Sequence, residues 1–472
     1  QLAIANFYYL KQELANHWGS GSPGNAQVAA ICSCDIDGNG EVEIISLGAY
    51  LDTNSGLRQA ALRVDRWNGD IIDPVDEQYW LVEGEEVHGK DITCVDLDGA
   101  GALGVVTVVI ASESESELKV WRWNDSSGAL EGSEPLLVSG GIYALATGDV
   151  DGDNLDEIVT GATDRELRII EVDAEGVLTE IGMEVSHGVE WKVNDIAIGN
   201  VDLDGALEIV TVSTLDNGEM GVRVRWLNGS SLALEAEKRW EAGGITDAAG
   251  IAVGNIDGEV PLEVAVVGTV APQYGGVVSI WQLDGEELEL WDYDVWHSQF
   301  GNGIVEFLGV AAADIYHSCS DEIAIGGALH EEAVAKSVLQ VYSRDGERLT
   351  LAESEEWNAE EMDEGFVYVV HAADVDGEGG VEIITGGRAV DSQVSWHEIT
   401  IWSARWWPMH GFTLGMLLER IFPGSMGQPD PWERYAFIIL DLLVIVGLLT
   451  LSVITVRKLT VYKKGRKHEE QT

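Results

Sequence analysis

One short acidic pattern recurs seven times in this chain, and a repeat of that kind leaves few folds open, because each copy belongs to one supersecondary unit. Its fullest form is Asp149-Val-Asp-Gly-Asp-Asn-Leu-Asp-Glu157, with an apolar run directly after it. Oxygen-bearing side chains stand at relative positions 1, 3, 5 and 9. Position 1 falls at Asp35, Asp96, Asp149, Asn200, Asn255, Asp314 and Asp374, so the copies are 61, 53, 51, 55, 59 and 60 residues apart. An apolar run precedes each copy, such as Ile196-Ala-Ile-Gly before Asn200. A second apolar run follows, and then an alternating segment such as Leu118-Lys-Val-Trp-Arg-Trp or Val222-Arg-Val-Arg-Trp. Alternation with a period of two marks a half-buried strand. Asn68-Gly69, Asn228-Gly229, Asp284-Gly285 and Asp345-Gly346 then supply hairpin turns into a fourth strand.

Four antiparallel strands per unit of this length predict an all-β fold, a β-propeller with seven blades. The ring must close, because an open sheet edge is an aggregation liability. The seventh repeat lacks a fourth strand, since Trp406-Trp407-Pro408 breaks the pattern after Ile399–Ala404. The N-terminus has a strand to spare. Trp18 precedes Asp35 by 17 residues, the interval that also separates Trp357 from Asp374. Residues 5–18 are therefore expected to complete blade seven and latch the ring, making 1–405 one propeller domain.

The chain carries 82 Asp and Glu against 27 Lys and Arg, a formal net charge of −55. Nucleic acid is excluded as a natural partner, because phosphate binding needs a basic footprint. With 46% hydrophobic residues the chain is no disordered acidic tail. Four cysteines, Cys32, Cys34, Cys94 and Cys319, are too few and too irregular for a disulfide framework. Cys32 and Cys34 alternate on one strand and cannot easily pair with each other. Cys94 lies on the matching strand of the next blade, which leaves room for one bridge, although buried thiols are the preferred reading.

Residues 435–456 read YAFIILDLLVIVGLLTLSVITV. As a helix these would extend roughly 33 Å, enough to cross a bilayer core. Arg457, Lys458, Lys463, Lys464, Arg466 and Lys467 follow at once. The positive-inside rule places that basic tail, 457–472, in the cytoplasm and the propeller outside. The expectation is a single-pass membrane protein whose signal peptide has been removed, with Gln1 as the mature end. Asp441 lies inside the span, where an ionisable residue is a candidate contact with a membrane partner. Residues 406–434 form a membrane-proximal linker. Phe412, Leu414, Leu417, Leu418, Ile421 and Phe422 have the spacing of an interfacial helix, or of one packed on the propeller. Asn124-Asp-Ser and Asn228-Gly-Ser are glycosylation acceptors at the turn after a third strand.

Oxygen ligands at positions 1, 3, 5 and 9 around a tight glycine turn suit a hard cation, and Ca²⁺ takes six to eight oxygens. The competing reading is that these loops are only Asx-type turns that hold the blade. The repeats resemble the FG-GAP (or VCBS) repeats of the integrin α-subunit β-propeller, over residues 5–405. That resemblance implies structural Ca²⁺ in the loop between the first two strands of a blade, on the lower face of the ring. Asp35, Asp37, Asn39 and Glu43 match it, as do Asp149, Asp151, Asp153 and Glu157, and Asn200, Asp202, Asp204 and Glu208. Asn255, Asp257, Glu259 and Glu263 match with a longer side chain at position 5, as do Asp374, Asp376, Glu378 and Glu382. Two loops depart: Ala100 and Gly104 replace ligands after Asp96, and Tyr316 and Ser318 weaken the set of Asp314 and Glu322. About five filled loops are thus expected, with those at Asp96 and Asp314 weak or empty.

The resemblance also implies that partners bind the opposite, upper face, in loops such as Ala111–Glu117, Ser213–Met220 and Thr269–Gly276. No nucleophile–base pair is evident, so the chain is read as a non-enzymatic, membrane-anchored binding or assembly protein that recognises a protein or a surface polymer. The alternatives are an accessory subunit of a larger membrane complex and an enzyme acting on polysaccharide.

Overall fold

The computed structural model describes residues 8–18, 27–52, 57–82, 87–99, 101, 103–112, 115–162, 166–173, 176–185, 191–272, 274–298, 303–331, 334–345, 348–358, 364–391 and 394–406. Every regular element among them is a strand. The expected linker beyond Trp406, the membrane span with Asp441 and the basic tail lie outside the described residues. No helix among the described residues is long and apolar enough to cross a membrane. By contacts the chain divides into Leu10–Ala404, which holds the sheets, and a second unit of Gln1–Tyr9 with Arg405–Thr472.

The strands form seven antiparallel sheets, each one repeat long. Blade one is Gln27–Cys34, Glu43–Asp52, Leu57–Trp67 and Ile72–Trp80. Blade two starts His88–Asp96, Leu103–Ser112 and Glu115–Asn124, blade three Ile142–Gly148 and Glu157–Ala162, and blade four Trp191–Gly199 and Glu208–Leu215. Blade five starts Ile245–Gly254 and Glu263–Ala271, and blade six Ile304–Ala313 and Glu322–Glu331. Blade seven is Glu364–Ala373, Glu382–Asp391 and Val394–Trp406, with Tyr8–Trp18 paired on the outside. The N-terminal latch is therefore present, and Ser403 donates its hydroxyl to Glu13 Oε1 at 2.7 Å across it. First strands of consecutive blades pack against one another all round, and Glu364–Ala373 against Gln27–Cys34 closes the circle.

Second strands are the most buried elements. Glu157–Ala162 is buried at every residue. A strand inside its own sheet, with a blade on either side, has no wet face, which explains the unbroken apolar runs. At the outer edge, a fourth-strand tryptophan packs on a third-strand tryptophan of the next blade. Trp80 meets Trp121 at 4.8 Å, Trp240 meets Trp281 at 5.7 Å and Trp357 meets Trp402 at 4.9 Å between ring centroids. Such tilted pairs put ring edge to ring face. Trp80 and Trp357 also donate Nε1–H to Glu117 and Glu398 of the neighbouring blade, at 2.8 and 3.0 Å.

Each first strand carries a bulge at the same place, for example between Gly89 and Asp91, and between Val193 and Asp195. A bulge frees one residue from the ladder and deepens the twist. The freed residues here are Lys90 and Asn194. Directly after the first, Asp91 accepts N–H bonds from Ile92 at 2.9 Å and from Leu145 of blade three at 2.8 Å. Asp195 does the same with Ile196 and with Ile251 of blade five, both at 2.9 Å.

Two details differ from the sequence reading. The fourth strand of blade two is split into Ala129–Gly132 and Leu136–Ser139, because Pro135 lacks an N–H for the ladder. Of the segments read as upper loops, the described residues of Ala111–Glu117 are strand, and Ser213–Met220 is strand at both ends of a turn at 216–219. Glu117 is buried in the third strand of blade two, and Leu215 and Met220 are strand ends around a tight turn.

Deleting residues 1–18 exposes the ladder edge of Val394–Trp406. The expected outcome is a thermal midpoint lower by at least about 5 °C, with aggregation, and partial recovery when a peptide of residues 1–18 is added back. An unchanged midpoint would show that the latch does not stabilise the ring.

Candidate metal centres

Each acidic loop joins a first strand to a second strand, and position 9 is the first residue of the second strand wherever it is glutamate. Burial of that strand drags the glutamate inside: Glu43, Glu157, Glu208, Glu263, Glu322 and Glu382 are all buried. One oxygen is held by the loop itself. Glu157 Oε2 accepts the N–H of Val150 at 3.1 Å, Glu208 that of Val201 at 2.8 Å, Glu263 that of Ile256 at 2.9 Å and Glu382 that of Val375 at 3.2 Å.

The position 1 side chain winds the loop around its oxygens. Asp149 accepts N–H bonds from Gly152 at 2.7 Å, Asp153 at 3.0 Å and Asn154 at 3.0 Å, and Asp374 from Gly377 and Gly379 at 2.9 and 3.0 Å. To close so tightly the backbone turns left-handed at positions 4 and 6, as at Gly38 (φ 71°) and Gly40 (φ 92°). Glycine takes this conformation without strain. Leu203 (φ 77°) and Asn154 (φ 71°) take it with a side chain attached. The Asx-turn reading is thus realised, but it occupies only some of the oxygens.

The rest converge. One oxygen from each of Asp149, Asp151 and Glu157 lies within 4.8 Å of the other two, and the same holds for Asp35, Asp37 and Glu43, for Asp202, Asp204 and Glu208, and for Asp374, Asp376 and Glu382. In blade five, Glu263 Oε1 and Asn255 Oδ1 are buried without a hydrogen-bond donor, beside Asp257. Buried oxygens left without a donor carry a full desolvation cost, and a hard divalent cation would relieve it. The donor set of carboxylate and amide oxygens fits Ca²⁺. Of the position 5 residues, Asn39, Asp153 and Asp204 turn an oxygen to the N–H two residues on, at 2.7, 2.8 and 2.8 Å. Glu259 and Glu378 are exposed.

The loops solve the same charge problem differently. In blade one Arg66 enters the cluster, with Nε 2.9 Å from Glu43 Oε1 and Nη2 2.9 Å from Asp37 Oδ2. That loop, expected to be a full cation site, already contains a cation of the protein's own. In blade five Arg344, reaching in from blade six, donates to the Asp257 carbonyl at 2.9 Å and lies 3.3 Å from its carboxylate. In blade six the Ser318 hydroxyl donates to Glu322 at 3.0 Å, in keeping with a weakened site. Blades three and four add acid instead. Glu171 stands opposite Glu157 across the ladder, and Glu235 lies against Asp202. Burial raises the carboxyls of Glu157, Glu208 and Glu263 to about 7, and Asp151, Asp202 and Asp257 add repulsion.

Position 8 has a use that the motif did not advertise. Asp156 accepts the N–H of Asp96 in the preceding blade at 2.8 Å, and Asp321 that of Asn255 at 2.8 Å. Of the two asparagines in Asn-X-Ser triplets, Asn228 is exposed at its hairpin turn, whereas Asn124 is half-buried and its amide donates to Glu131 at 2.6 Å.

No family model matches the chain, and no curated protein does. Among solved structures it is similar to BBS1N in complex with ARL6DN, at 12% identity and a TM-score of 0.48, covering 84% of this chain and 97% of that one. It is similar to Chaetomium thermophilum Sqt1 bound to the N-terminus of the ribosomal protein L10, at 13% identity and a TM-score of 0.49, covering 82% and 90%. A protein from Lactobacillus plantarum matches at 11% identity and a TM-score of 0.48, covering 74% and 92%. The propeller assignment rests on the seven sheets of this chain.

Chelation and substitution test the centres together. For Ca²⁺ at one hundred times its dissociation constant, each filled loop contributes about 2.7 kcal/mol, so chelator should lower the thermal midpoint. Glu157→Gln should remove one Ca²⁺ from the bound stoichiometry, lower the midpoint in Ca²⁺, and leave the midpoint in chelator unchanged or higher. An unchanged stoichiometry would rule out the blade three loop.

The pH dependence has a definite sign. Glu157, Glu208 and Glu263 titrate near 7 when folded and near the ordinary 4.5 when unfolded. Their protonated forms favour the fold, a contribution that is complete below the unfolded value and lost as pH rises through 7. In chelator the midpoint should therefore fall between pH 5 and pH 7.5, and Ca²⁺ should flatten that fall. A midpoint that rises with pH in chelator would contradict the burial of these acids.

Proposed function

We propose that this chain is a membrane-anchored, extracytoplasmic binding or assembly protein whose calcium-stiffened propeller recognises a protein or surface-polymer partner on its upper face. A propeller fold is compatible with a protein-binding role. The membrane placement rests on the apolar segment 435–456 and the cationic cluster after it.

The observation that carries the recognition reading is the chemistry of the upper ends of the inner strands. In a chain with so few cations, Lys90 and Lys192 both lie over the ring of Tyr143, at 5.2 and 4.8 Å. In blades six and seven Phe366 and Tyr368 stack at 6.0 Å, Arg388 lies 4.6 Å over Phe366, and His330 joins Phe366 at 5.7 Å while meeting Glu306 at 3.1 Å. Aromatic and arginine side chains on a rigid frame are the usual carriers of binding energy at interfaces. The lower-face acids, by contrast, are engaged in their own loops. Calcium there holds shape and performs no chemistry on a substrate.

The test replaces Lys90 and Lys192 together by serine and purifies the full chain natively beside the wild type. The expected result is that partners identified by mass spectrometry with the wild type fall at least about tenfold, while bound Ca²⁺ is unchanged. Partners retained in full by the variant, or wild-type protein recovered in the soluble cytoplasmic fraction, would contradict the proposal.

A further inference from the structure

First strands of neighbouring blades meet at seven equivalent places. Counted back from position 1 of each motif, the third residue of one blade faces the second residue of the next. At three consecutive places the pair is polar. His371 Nε2 lies 2.8 Å from Ser33 Oγ between blades seven and one. Cys32 Sγ lies 3.1 Å from Cys94 Sγ between blades one and two. Thr93 Oγ1 lies 2.9 Å from Thr147 Oγ1 between blades two and three. By position the other four pairs are Ala146 with Ile198, Ala197 with Val253, Ala252 with Ala312 and Ala311 with Ala372. The cysteines thus occupy a place where the fold brings two side chains of adjacent blades into direct contact.

We propose that Cys32 and Cys94 form a disulfide that staples blade one to blade two. A disulfide needs its sulfurs about 2.05 Å apart, so the two must close by roughly an ångström from where they stand as thiols. Cys34, two residues along the strand, also touches the Cys94 thiol, and the register leaves it as the unpaired third member. Cys319 is exposed in the blade six loop and takes no part.

The timing follows from burial. Desolvation raises the Cys32 thiol, and contact with Cys32 raises that of Cys94. A suppressed thiolate is a poor nucleophile. The bond therefore forms while blades one and two are still assembling, with a small-molecule disulfide as oxidant. The Cys94 thiolate attacks one sulfur of that disulfide and releases one thiolate. The Cys32 thiolate then attacks the Cys94 sulfur of the mixed disulfide and releases the second. The protein loses two electrons and two thiol protons, and the oxidant becomes two thiols.

The experiment refolds the reduced full chain in a mixture of reduced and oxidised glutathione, alkylates without reduction, and locates the link by tandem mass spectrometry. It requires no assumption about where the protein resides in the cell. The expected result is Cys32 linked to Cys94, with Cys34 and Cys319 alkylated. The bridge closes a loop of 62 residues, which shifts an unfolding equilibrium on the order of a hundred- to a thousand-fold, so reductant should destabilise the wild type by that factor. The pair Cys32→Thr with Cys94→Thr reproduces the Thr93–Thr147 contact and should be insensitive to reductant. Four alkylated cysteines, a Cys34–Cys94 link, or a wild type whose stability ignores reductant would each overturn the assignment.

Discussion

A buried glutamate opens the most enclosed strand in six of the seven blades, and the rest of the lower face answers to it. Its position is forced: the motif turns directly into a strand covered on both sides, so the last acid of the motif goes in with the strand. Once buried it must be hydrogen-bonded and its charge offset. One oxygen takes the N–H of the loop it closes. For the other, the protein uses Arg66 in blade one and a serine hydroxyl in blade six. In blades three, four and seven the neighbouring loop carboxylates converge on it, which is the arrangement a divalent cation neutralises.

The same burial explains why the ring holds together at several radii. Near the axis, Asp91 and Asp195 each bond a backbone N–H of the next blade. At the lower face Asp156 and Asp321, at position 8, each bond a backbone N–H of the preceding blade. At the rim, tryptophan pairs fill the gap between fourth and third strands. The upper ends of the ring's inner strands carry aromatic and cationic side chains, which is where recognition is proposed.

Much of this was legible because it is local. Period-two alternation and the spacing of the seven motifs are properties of short segments, so blade number and strand order could be read directly. The latch was legible through one interval, the 17 residues from Trp18 to Asp35 that repeat from Trp357 to Asp374. The ligand set was legible only in part. Arg66 follows Glu43 by 23 residues and Arg344 follows Asp257 by 87, and nothing in the acidic motif points to either. They arrive through strand register and the juxtaposition of blades, as does Glu235 at the Asp202 loop. The third-strand arginine opposite position 9 was the available signal for blade one. The upper turns were read as longer than they are because small and acidic residues such as Ser112 and Glu115 continue strands there.

The central claim is that the glutamate-closed loops are calcium centres graded by their neighbours. A crystal structure grown in Ca²⁺, with anomalous scattering recorded at a wavelength where calcium contributes, tests it most directly. The account predicts anomalous peaks bounded by Asp149, Asp151 and Glu157, by Asp202, Asp204 and Glu208, and by Asp374, Asp376 and Glu382, with none at the Asp96 loop. Loops of blades three, four and seven without a peak, their carboxylates bonded only to backbone N–H groups, would contradict it.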